Sequence, residues 1–77
     1  ENYRAKREET LVRLANRLAD RVLKYRRSIT LEPMNPYERR VIHSTLQNSK
    51  MITTYSVGEE PNRKVVIAVN NRRRVEM

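Results

Sequence analysis

From Tyr3 to Arg27 the chain runs without a glycine or a proline, and Leu11, Leu14, Ala15, Leu18, Val22 and Tyr25 recur there at spacings of three and four. That spacing places them on one side of an α-helix, and Ala19 and Leu23 widen the stripe. A helix with one apolar side must cover something, so the rest of the chain has to supply a second layer. Leu11, Ala15, Leu18, Val22 and Tyr25 also fit a heptad, but over fewer repeats than the three or four that a coiled coil needs. The preceding segment, ENYRAKREET, carries no such stripe. Residues 1–10 are therefore read as a linker or as the extension of a helix from a preceding domain, as suits a chain that begins at Glu1 rather than Met.

The second layer is read as a sheet. In SITLE, residues 28–32, Ile29 and Leu31 alternate with polar neighbours and Pro33 then stops the run, which predicts a short strand. A well-signalled helix follows over 36–48. Asn35 can cap it, Pro36 suits the first helical position, and Glu38 stands where a capping box places its acid. KMITTYSV and RKVVIAV are β-branched runs on either side of GEEPN, so residues 51–57 and 63–69 read as a hairpin. The order is α-β-α-β-β. The economical solution is an α+β domain over residues 11–69, a small three-stranded antiparallel sheet with two helices packed on one face. Residues 70–77, NNRRRVEM, read as a basic tail ordered only by a partner.

With 77 residues and 38% hydrophobic content, this is one domain with one modest core and little room for an enclosed active site. The absence of cysteine removes disulfides and thiolate metal sites and fits a reducing, cytoplasmic setting. No apolar run approaches the length of a membrane span. His43 is the sole imidazole; its neighbour Ser44 points about 100° away on a helix, so the two form no nucleophilic pair. One histidine with Glu59 and Glu60 falls short of a zinc ligand set, and Gly58, the only glycine, makes no phosphate-binding loop. No enzyme, metal or cofactor is expected.

The charge is more informative. Seventeen Lys and Arg against nine Asp and Glu give +8, a balance suited to phosphate backbones or anionic membranes. Residues 1–27 carry net +5, residues 28–48 are neutral, and residues 49–77 carry net +3. Around the second helix, Val41, Ile42, Thr45 and Leu46 share one side while Arg40, His43, Ser44 and Gln47 share the other. Arg39 lies on the border one turn from His43, with no acidic partner on that side. If the hairpin lies beside this helix, Lys50, Arg63 and Lys64 join Arg40 and His43 in one groove for an anion. Tyr37 and Tyr55 are the candidates to stack bases. For His43 the alternative is a half-buried ring that packs on the sheet edge; for the arginines it is a solvated helix face.

Arg39 and His43, preceded by PMNPYER and followed by TYSVGEEPNRKVVI, resemble the signature of the R-x-x-x-H (Arg-three-His) domain family, and in particular the C-terminal domain of bacterial Jag (KhpB/EloR) RNA-binding proteins. The resemblance covers about residues 9–69. It implies single-stranded nucleic-acid binding, RNA before DNA, with Arg39 and His43 as the defining pair and Arg63 as a further contact. It also implies an upstream KH domain in the parent chain, a KH-type partner protein, a cytoplasmic location and a part in cell elongation or division. The competing reading is an interaction module. In it the basic amphipathic first helix docks a protein or an anionic membrane, and the Arg39 and His43 pair only braces the fold.

Overall fold

A computed structural model of the chain describes residues 3–70, so the expected basic tail lies outside the described residues beyond Asn70. Its elements follow the expected order: α1 (Tyr3–Tyr25), β1 (Ile29–Thr30), α2 (Pro36–Leu46), β2 (Ile52–Val57) and β3 (Lys64–Val69). The strands form an antiparallel sheet in the order β1-β3-β2, with β3 central and β2 at an edge. The strand expected over 28–32 is assigned only at Ile29–Thr30, yet Leu31 N–H still donates to the Val65 carbonyl (2.9 Å), so pairing with β3 runs further.

Both helices lie on one face of this sheet, as the apolar stripe requires. Leu11, Ala15, Ala19 and Val22 of α1 and Val41, Ile42 and Leu46 of α2 meet Ile52, Val65 and Ile67 in one buried core. Leu11, Val22, Ile42, Val65 and Ile67 are fully buried, and each such side chain stabilises the fold by roughly 1.5–3 kcal/mol. The start of α2 is fixed as expected. Asn35 accepts from the Glu38 N–H (2.8 Å), and Glu38 accepts from the Asn35 N–H (3.3 Å), closing the capping box behind Pro36.

The end of α1 carries no such sequence signal. Arg26 takes φ 57°, the left-handed conformation that usually falls to glycine after a helix, and the helix stops at Tyr25. The first turns of α1 continue the helix without a break and reach the start of α2. Arg7 pairs with Glu38 (3.0 Å), Tyr37 donates its hydroxyl hydrogen to Glu8 (2.8 Å), and the Arg4 guanidinium sits 4.5 Å from the centre of the Tyr37 ring.

Candidate functional site

Beside β2, the edge strand, α2 leaves an open groove of about 630 Å³. Its lining brings together Arg39, Arg40, His43 and Ser44 from α2, Thr54 and Ser56 from β2, and Arg63 from the end of the hairpin loop. The helical pitch explains the first set: positions 36, 39, 40, 43, 44 and 47 all face the groove. Strand alternation explains the second, because Thr54 and Ser56 stand opposite Ile67 and Val65 and so point to the helix side.

Arg39 is the surprise. It is buried, 9% exposed, where the helical wheel places it at a border. One Nη1 hydrogen goes to the Met34 carbonyl (2.6 Å), and Nη1 and Nη2 grip the Glu60 carboxylate. Glu60 comes from the hairpin loop, 21 residues away, and is the acidic partner absent from the helix itself. Because Glu60 takes the outer end of the guanidinium, the N–H on Nε and the second one on Nη2 have no partner among the described residues. An arginine held at one end offers a fixed donor pair at the other.

His43 is half-buried and bound on both sides: Nδ1 lies 2.7 Å from Thr54 Oγ1 and Nε2 lies 3.0 Å from Ser56 Oγ. Burial first, and the Arg39 charge second, lower its pKa below the ordinary 6.5 and keep the ring neutral at pH 7. A neutral imidazole has one N–H and one bare nitrogen, so it donates to one of these hydroxyls and accepts from the other. The hydroxyl that accepts keeps its own hydrogen for the groove.

Arg63 is also tethered, donating to the carbonyls of Gly58 and Ser56. Gly58 makes that turn possible, with φ 89° and the Asn62 carbonyl oxygen 3.4 Å from where a Cβ would stand. Arg40 is different: it is exposed and makes no hydrogen bond or ion pair among the described residues. The other two sequence candidates are placed elsewhere. Lys64 stands opposite Val57, on the sheet face away from His43, and Lys50 lies in the bend before β2, outside the groove lining. Tyr37 is occupied by Arg4 and Glu8, whereas Tyr55 is 48% exposed. Glu60 is the residue that sequence reasoning misses, since a pairing across a loop leaves no periodic trace.

Among the described residues no group of histidine, cysteine or carboxylate side chains could hold a metal, and no helix is long and apolar enough to cross a membrane. The chain is similar to known proteins over most of its length. The profile of the R-x-x-x-H (Arg-three-His) domain matches residues 9–68. RNA-binding protein KhpB of Clostridium symbiosum is 54% identical over 74 residues, covering 96% of this chain and 33% of the relative. The protein of the same name from Bacillus subtilis is 56% identical over 70 residues, covering 88% and 34%. That from Lactiplantibacillus plantarum is 41% identical over 69 residues, covering 90% and 21%. The chain thus spans about a third or less of the length of these relatives. With the Arg39 and His43 pair seated on one groove and the family profile matched across most of its length, the chain belongs to the Arg-three-His domain family.

Proposed function

We propose that this domain binds single-stranded nucleic acid, RNA first, without a catalytic step, and that the groove between α2 and β2 grips the sugar-phosphate backbone. One observation carries the reading: Arg39, Arg40 and Arg63 converge on a groove with the hydroxyls of Ser44, Thr54 and Ser56, and the carboxylate bound there, Glu60, offsets only one of the three charges. Arginine forks and neutral hydroxyl donors suit phosphate oxygens. Relatives named RNA-binding proteins support RNA as the partner. The chain matches only part of their length, so we take it to act as one module of a longer cytoplasmic protein, beside a KH domain. Binding is mainly electrostatic and weakly selective for sequence.

The test is a fluorescence-anisotropy titration of a labelled single-stranded RNA at two salt concentrations, using the unaltered chain and Arg40→Ala, with circular dichroism to check folding. Arg40 is the informative position because its removal leaves no fold contact broken. Affinity should fall steeply with salt, and Arg40→Ala should weaken it. Salt-independent binding, or an Arg40→Ala variant that binds as well as the original, would sink the reading. A DNA strand of the same sequence decides between the two nucleic acids.

A second reading has one observation on its side: Arg39 and His43 spend most of their polar atoms on the fold itself. In that case the pair is a brace, and exposed Arg13, Arg17 and Arg21 on α1 dock a protein or an anionic membrane. Sedimentation with anionic vesicles that is lost on replacing those three arginines, without RNA binding, would favour it.

A further inference from the structure

Two helices on one side leave the other face of the sheet without a covering element among the described residues. The register defines that face. Ile52, Val65 and Ile67 enter the core, so Tyr55, Val57, Lys64 and Val66 emerge on the opposite side, with Thr30 in the same row as Val66 and Tyr55. Val66 is 6% exposed between its two neighbours, while Tyr55 is 48% and Val57 39% exposed. Lys64 is the charged position within the β2–β3 ladder on this face, while at the far edge of the sheet the alternation past buried Leu31 puts exposed Glu32 on the same side as Thr30.

We infer that this face is a nucleobase-stacking platform centred on Tyr55, used by the same strand whose phosphates lie in the groove; the inference rests on the nucleic-acid reading of that groove. Continuity favours it. Thr54 and Ser56 line the groove, and Tyr55 between them emerges on the other side of the same edge strand. No further strand pairs with β2 among the described residues, so a bound strand can pass round that edge. Size argues against a second protein copy. Strands six residues long, three abreast with one of them short, give roughly 20 Å by 10 Å, well below the ~800 Å² per partner of a stable interface. One or two bases fit that area, and an exposed tyrosine on a sheet is the kind of ring on which unpaired bases stack.

The test measures the 77-residue chain and its Tyr55→Ala, Tyr55→Leu and Tyr55→Phe variants against a single-stranded RNA and an abasic ribose-phosphate strand of equal length, at one salt concentration. Tyr55→Leu keeps an apolar cover over Val66, which guards against loss of fold; thermal melts check both. On the RNA, Tyr55→Ala and Tyr55→Leu should bind about 5- to 150-fold more weakly, and Tyr55→Phe should bind like the original. On the abasic strand all four proteins should bind alike. Equal RNA binding by Tyr55→Ala, while Arg40→Ala still loses affinity, overturns the platform and leaves the groove standing. A Tyr55→Ala loss of equal size on both strands also overturns it, because stacking requires a base. If the unaltered chain binds neither strand, the platform and the groove reading fall together.

Discussion

Two arginines of the groove, Arg39 and Arg63, and those on the outer side of α1 are the same chemical group in opposite physical situations, with Arg40 in the groove but solvated. Arg39 and Arg63 are tied to carbonyls and, for Arg39, to Glu60, whereas Arg13, Arg17 and Arg21 are exposed and have no ion pair among the described residues. A tethered guanidinium has already lost its rotamer freedom in the folded protein, so an anion that meets it is spared that ordering cost. A solvated one that meets an anion alone gains little and is screened by salt, whereas Arg40 would act beside two guanidinium groups that are already fixed. Counting charge therefore points to α1, while counting fixed donors points to the groove.

The contrast is most exposed to test at Arg39. Arg39→Ala strands the Met34 carbonyl and the Glu60 carboxylate, and urea unfolding should show a loss of about 2–3 kcal/mol, at the lower end for a broken buried pair because Glu60 is half-exposed. An unchanged midpoint would mean that the contact is not formed in solution. Next in size is Arg40→Ala, expected to leave stability within about 0.5 kcal/mol, to cost about 1–2 kcal/mol in RNA affinity, and to reduce the salt slope by about 1. Replacing Arg13, Arg17 and Arg21 together should cost less than about 1 kcal/mol in RNA affinity, as a purely long-range effect. A larger loss than that of Arg40→Ala would invert the ranking of the two regions.

The smallest expected effect is a pH dependence. Folding lowers the His43 pKa below its ordinary 6.5, so the unfolded chain binds that proton first as the solution is acidified. Stability from this group is complete above 6.5 and declines as pH falls from there through the lower folded value, with a slope of at most one proton. Melts between about pH 7.5 and about pH 5.5, compared with those of His43→Gln, isolate the contribution. Identical slopes would show that the ring is not held neutral.

What the sequence discloses is mostly local. The Asn35, Pro36 and Glu38 signal locates the start of α2 at once, and the Leu11 to Val22 stripe identifies the side of α1 that enters the core. The hairpin ends fall within one residue of expectation, because Gly58 and Pro61 punctuate two β-branched runs. Interactions over long separations stay hidden. Nothing near Arg39 announces Glu60, and the apolar run VVIAV does not reveal which alternate set faces the helices, so periodicity groups Lys64 with a groove from which it points away. The end of α1 is equally silent, since Arg26 adopts a backbone angle that its residue type does not advertise.

The clasp between Arg39 and Glu60 has a consequence for when the groove takes shape during synthesis. Helix α2 leaves the ribosome well before the loop that carries Glu60, and until then Arg39 swings without its anchor. A growing chain with α2 but no hairpin therefore carries Arg39 without its Glu60 partner and His43 without Thr54 and Ser56. Because β3 is the central strand, neither the sheet nor the groove beside it exists until the last strand has been made, and a groove that needs Arg39 fixed is complete only in the finished domain.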